Sequence, residues 1–172
     1  MPRWAICCVA ACCLIACGNS GDSDAGSAAG LGTCGLRTSL SGGVMVSFTG
    51  QDDTACLTHH SFDEGLDVDF IHTSAKVTVS FAIADVTEGE TGDQYPTLVR
   101  VTSDTGRWER DACTMSISEH KLLQTEASAI GELRHYQVSG QGACEQPLEA
   151  SADLADTSVD ELAFRAQFTW RD

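Results

Sequence analysis

The sequence predicts an all-β domain: an antiparallel β-sandwich or jelly-roll-like body of about seven strands, held by two disulfides. Three observations lead there. Apolar residues recur with a period of two, helix signals are sparse, and four cysteines beyond residue 30 (Cys34, Cys56, Cys113 and Cys144) form an even set. A strand with one face in a core and one in water alternates apolar and polar side chains, whereas an amphipathic helix repeats every 3.6 residues.

Taken in chain order, Val44, Val46 and Phe48 alternate with Met45, Ser47 and Thr49 and mark a first strand. Leu66, Val68 and Phe70 alternate with Asp67 and Asp69, and Val77, Val79, Phe81 and Ile83 with the small residues Thr78, Ser80, Ala82 and Ala84. Val99 and Val101 mark another strand; so do Cys113, Met115 and Ile117, then Tyr136 and Val138, and finally Leu162 through Trp170. Ser116–Ala129 also admits a helical reading from Leu122-Leu123 and its Glu and Lys content, and Ser151–Leu162 reads as a long acidic loop with one turn. Half-buried strands of this kind, joined by polar loops, pack as sandwiches or jelly rolls.

Four cysteines allow three connectivities, and with no Cys-x-x-Cys they match no zinc pattern. Disulfides imply an oxidising compartment. A register argument favours one pairing. If Cys113 faces Cys144 across a hairpin, paired positions sum to 257. Met115 then opposes Gly142, Ile117 opposes Gly140 and Lys121 opposes Tyr136, with a tip near Glu126–Ala129. The large-against-small alternation on one face supports that register. Cys34–Cys56 is then the second bond, expected to staple the start of the domain around its first strand.

The N-terminus is Arg3, an apolar run from Trp4 to Ala16, then Leu14-Ile15-Ala16-Cys17 before an abrupt Gly/Asn/Ser/Asp stretch. The run is 13 residues long, short of the ~20 that a spanning helix needs and within the range of a cleaved signal. Leu14-Ile15-Ala16-Cys17 resembles the lipobox of bacterial lipoproteins. Val9-Ala10-Ala11-Cys12 has the same pattern but only a stub of apolar residues ahead of it; an ordinary secretory signal cut near Ala16 is the other reading. The resemblance implies diacylation of the Cys17 sulfur, cleavage before Cys17 and, in many such proteins, a third acyl chain on the new amino group. Two or three chains hold a protein to a bilayer effectively for good. Gly18, in place of an inner-membrane-retaining Asp, favours the outer membrane. The expected organisation is a signal over 1–16, lipidated Cys17 with a flexible Gly/Ser/Asp tether over 17–33 reaching ~20–25 Å, and a β domain over 34–172.

The chain carries 10 basic and 25 acidic residues. Without Arg3 its net charge is −16, which disfavours nucleic acid and anionic headgroups as partners. The expected partners are the membrane, through the anchor, and an envelope protein or glycan.

The densest group of candidate ligands is His59-His60-Ser61-Phe62-Asp63-Glu64 followed by Asp67 and Asp69. Asp67 and Asp69 share a strand face about 7 Å apart, and with Asp63 and Glu64 they could share a Ca²⁺ ion; adjacent His59 and His60 point to opposite faces. The register above makes His120 and His135 diagonal neighbours on one face, with no third ligand for a transition metal. Glu88–Asp93 is an acidic Gly-rich loop without the lysine or following helix of a phosphate cradle. Trp108, among charged neighbours, reads either as a sandwich-end core residue or as a platform for stacking on a sugar. No Gly-x-Ser-x-Gly, His-Glu-x-x-His or free Cys–His pair is present, and no catalytic residue is assigned. The expectation is a lipid-anchored envelope lipoprotein acting as a non-catalytic binding or accessory module with no cofactor. The alternatives are a Ca²⁺- or carbohydrate-binding adhesion domain and a small envelope hydrolase without a recognisable motif.

Overall fold

The computed structural model describes residues 28, 30–61, 65–129 and 131–171. The expected signal, Cys17, most of the tether, Asp63 and Glu64 lie outside them. The fold is all-β, with ten strands and no helix among the described residues: β1 (Gly35–Gly42), β2 (Val46–Gly50), β3 (Thr54–Ser61), β4 (Gly65–His72), β5 (Val77–Ala84), β6 (Gly92–Ser103), β7 (Gly106–Ser128), β8 (Gly131–Cys144), β9 (Glu149–Ala150) and β10 (Thr157–Arg171).

All belong to one antiparallel sheet ordered β2-β1-β10-β8-β7-β6-β5-β4-β3, with β9 beside the start of β7. The expected count of about seven strands is therefore corrected to ten. β1, with Gly35, Thr38, Ser39 and Ser41, and β3, with its two threonines and two histidines, carry too few apolar residues to show a period of two. The helical reading of Ser116–Ala129 is also corrected, because Ser116–Ser128 is the second half of β7. The acidic loop expected over Ser151–Leu162 is corrected to end at Asp156, because β10 begins at Thr157.

Connectivity rolls this sheet into a near-barrel rather than two stacked layers. β2 and β3 are the two ends of the strand order, yet only residues 51–53 separate them in the chain. The four steps from Gly50 to Thr54 span at most about 14 Å, whereas eight strand spacings in a flat sheet come to about 38 Å. The ends must therefore approach. Packing agrees, since β3 contacts both β10 and β1. Phe70 of β4 and Phe81 of β5 meet Phe164 of β10 with ring centroids 6.1 and 5.8 Å apart.

The Cys34–Cys56 disulfide lies on this seam, with its Cα atoms 5.9 Å apart. It joins the residue before β1 to the terminal strand β3. Its role is thus to clasp edge strand β3 to the start of β1, the neighbour of the other edge strand β2, a larger span than a staple around the first strand. Cys113–Cys144 bridges directly paired residues of β7 and β8, Cα atoms 4.2 Å apart.

The interior is packed with side chains. Trp108, Phe48, Phe70, Phe81, Phe164 and Phe168 are all less than 2 % exposed, each with roughly 1.5–3 kcal/mol or more to gain from leaving water. In β5, Val77, Val79, Phe81 and Ile83 point inward, as their period of two predicts. Glycines on β8 make room for large residues on β7. A Cβ on Gly142 would lie 2.3 Å from the Thr114 carbonyl oxygen and 2.6 Å from the Met115 sulfur; one on Gly140 would meet Ser116 O at 2.6 Å and Phe164 at 2.7 Å.

The β7–β8 register follows the sum of 257 from Cys113↔Cys144 through Met115↔Gly142 to Ile117↔Gly140, then departs from it. Ser118 and Leu123 are extra residues in β7, so Lys121 opposes Gln137 rather than Tyr136, and the strands end at Ser128↔Gly131. Further irregularities occur in β10 opposite Thr38 and twice between β6 and β7. Bulges raise local twist and bend strands, which a sheet rolled this far requires.

Candidate functional site

Alternation along β4 sends Leu66, Val68 and Phe70 inward and leaves Asp67 and Asp69 on the outer face. Asp67 pairs with Ala82 of β5 and His59 of β3, Asp69 with Ser80 and Leu57. With Leu98 and Arg100 of β6 they line a shallow hollow of about 310 Å³. Asp63 and Glu64, the rest of the expected Ca²⁺ set, lie outside the described residues. Among the described residues no group of three or more His, Cys, Asp or Glu side chains is placed to hold a metal ion.

Arg100 links this hollow to a second, of about 430 Å³, on the outer face of β6 and β7. There the Glu109 carboxylate accepts hydrogen bonds from Arg107 Nε and Arg100 Nε, both at 3.2 Å. The Arg107 and then the Arg100 guanidinium hold its carboxyl below the ordinary carboxylate range. Arg110 donates to the Pro147 carbonyl at 2.7 Å and to Glu149 at 3.0 Å. Charges on this face are thus spent largely on one another. In an exposed setting such pairs contribute little stability.

A hollow of about 730 Å³ lies over β2, β1 and the bulged part of β10. Opposite Thr38, β10 carries both Glu161 and Leu162, and this distortion opens the surface. Its lining is hydroxyl-rich and charged: Ser39, Ser47 and Thr49 beside Arg37, Asp160 and Glu161. Ser39 and Ser47 hydroxyls lie 3.2 Å apart, and the Thr38 hydroxyl donates to the Asp160 carbonyl at 2.6 Å. No sequence motif marks these residues, because the hollow is made by the bulge and by a pairing of strands distant in the chain.

Of the two readings of Trp108, the structure bears out the core residue and not the ligand platform. Trp108 is 0 % exposed, and its indole N–H donates to the Ala155 carbonyl at 2.8 Å. The ring lies under the β1–β2 turn, where a Cβ on Gly43 would fall 2.6 Å from its nitrogen. A stacking ligand has no face to reach.

His120 and His135 are separated by the bulges of β7. His135 pairs with Gln124 and Thr169, its Nδ1 2.9 Å from the Thr169 hydroxyl and its Nε2 3.9 Å from Glu126. His120 instead pairs with Val138 and is buried at the barrel end. It packs on Tyr136 and Trp170 with centroids 4.9 and 4.8 Å away. Both its nitrogens bond the β5–β6 connection: Nδ1 with Glu90 O at 2.9 Å and Nε2 with Gly89 N at 3.3 Å. Burial lowers its pKa against the smaller raising effects of the Glu90 bond and the Glu88 charge. With both nitrogens engaged by backbone, this imidazole braces a loop and has no free atom for proton transfer to a substrate.

The four cysteines after residue 30 are paired as expected, Cys34–Cys56 and Cys113–Cys144. Comparison of the chain with models of known protein families, with curated proteins and with solved structures found no match in any of the three.

Proposed function

We propose that this protein is a lipid-anchored lipoprotein of the bacterial envelope whose barrel acts as a non-catalytic binding or accessory module. One observation carries the reading. Cys34, Cys56, Cys113 and Cys144 pair with one another in two disulfides, so that Cys17 is the one cysteine after the Leu14-Ile15-Ala16 run that these two bonds do not use. That is the cysteine the lipobox resemblance assigns to acylation. Two disulfides also fit an oxidising, extracytoplasmic setting.

Binding on the outer surface is favoured over catalysis because the interior is filled with aromatic side chains and the outer hollows hold hydroxyls and mutually paired charges. The hollow at the β10 bulge, with Arg37 at one side and Asp160 and Glu161 at the other, suits a polar ligand or partner segment. The test is expression of the full chain in a bacterial host, with membrane fractionation and intact mass. The account expects detergent-dependent solubility and a mass above that of the polypeptide from Cys17 by two or three acyl chains, both lost in Cys17→Ala. A native chain that washes off with salt and has bare polypeptide mass overturns it.

A further inference from the structure

We propose that the β5–β6 connection, residues 85–91, is an acid-released strap latched by His120. The strap crosses the barrel end and is held at three places. Val86 is buried in the core. Glu88 takes a two-pronged ion pair from Arg134 of β8, Nε–Oε1 2.6 Å and Nη2–Oε2 2.9 Å. Gly89 and Glu90 meet the two nitrogens of His120.

The donor logic of this last contact is fixed. A carbonyl only accepts, so Nδ1 carries the proton given to Glu90 O. A backbone N–H only donates, so Nε2 presents its lone pair to Gly89. The closed strap therefore requires neutral imidazole. Protonation would place a hydrogen on Nε2 facing the Gly89 N–H, and the bond would become a clash of two donors.

The surroundings decide which way acid pushes. The charge that acts on the ring is Glu88 on the strap, itself paired with Arg134 of β8. Tyr136 and Trp170 supply uncharged rings, and Asp85 and Asp93 flank the ends of the strap. On β7 itself, Glu119 is engaged by Arg165 at 2.9 Å and by the Ser139 hydroxyl, and Lys121 pairs with Gln137. Burial outweighs the Glu90 hydrogen bond and the smaller attraction of Glu88, and holds the ring neutral below its ordinary value of 6.5. Once the strap lifts, the ring regains water and its ordinary basicity. Protons thus bind the open form better. The open-to-closed ratio grows below pH 6.5 by at most about tenfold per pH unit, until the closed form itself titrates. Opening bares the rings of Tyr136 and Trp170 and the edge of β7 beyond Ile117, where β6 pairing stops.

The experiment is amide hydrogen exchange of the whole chain by NMR from pH 7.5 to 5.0, each rate divided by that of the unstructured amide at the same pH. The account expects Gly89 exchange to rise several-fold below pH 6.5 while Val79 and Phe81 in β5 stay protected. His120→Gln preserves an acceptor for Gly89 and a donor for Glu90 but cannot titrate, and its Gly89 exchange should be flat with pH. Three results overturn the proposal: less than a twofold rise at Gly89, an equal rise in His120→Gln, or a parallel rise in β5 that signals global unfolding.

Discussion

Removing the seam disulfide with Cys34→Ser/Cys56→Ser separates a rolled sheet from an open one. Its cysteines are 22 positions apart and those of Cys113–Cys144 are 31 apart. Chain entropy alone then assigns roughly 3.4 and roughly 3.7 kcal/mol to the two bonds, nearly the same. For the seam bond this corresponds to a fall in Tm of roughly 12 °C, taking the domain as about 139 residues. The two variants differ in what remains in the native state. Cys113 and Cys144 sit in a continuous hydrogen-bonded ladder from Cys113 to Ile117 that persists without the bond. Cys34 and Cys56 belong to segments with no ladder between them, so the sheet edge at β3 loses its clasp. Guanidinium unfolding should show comparable losses for both double variants. Hydrogen exchange should show additional loss of protection in β3 relative to β5 in the seam variant alone. A seam variant that loses less than about 1 kcal/mol, or whose β3 is protected as in the native chain, refutes the argument that this bond closes the barrel.

Other positions give independent checks. Trp108→Ala should cost about 3–5 kcal/mol in urea unfolding, and a near-neutral result would return Trp108 to the surface. Gly142→Ala places a methyl group 2.3 Å from the Thr114 carbonyl and should cost about 1–3 kcal/mol as overpacking; a stabilised variant would contradict the β7–β8 register. Glu109 should titrate below its ordinary 4.5 because Arg107 and then Arg100 donate to it. Whatever stability this exposed pair adds is present above that value and lost as pH falls below it, and the shift should shrink in 1 M salt when followed by NMR. Tyr136, buried and beside Glu88, has a raised pKa, so one of the two tyrosines should ionise above pH 10 in an ultraviolet titration.

Much of this architecture is legible in the residues, and its limits have physical causes. The strand at Val77–Ile83 announces itself because each of its apolar residues meets the core. The disulfide pairing and the register to Ile117↔Gly140 follow from volume complementarity, large against absent side chains. The register fails at Ser118 and Leu123 because a bulge adds a residue without changing residue type in any marked way. That failure puts His120 indoors and leaves His135 on the other face. β1 and β3 escape notice because they are short in apolar residues, and their loss hides the rolled topology, which rests on β1 pairing with β10 over more than a hundred positions. The hollow over the β10 bulge is invisible for the same reason. Trp108 looks exposed among Arg107, Glu109 and Arg110, yet alternation turns Arg107 and Glu109 outward and the indole in. Leu122 and Leu123, 47 % and 46 % exposed, show the opposite case: apolar residues on a ribbon that has outrun the barrel.

The most direct test of the rolled, clasped sheet is peptide mapping of the chain from a bacterial envelope, alkylated before digestion and never reduced. The account predicts one cross-linked pair joining Cys34 to Cys56, another joining Cys113 to Cys144, and no alkylated thiol at any of the four. Crossed pairs, or free thiols at Cys34 and Cys56, would contradict it.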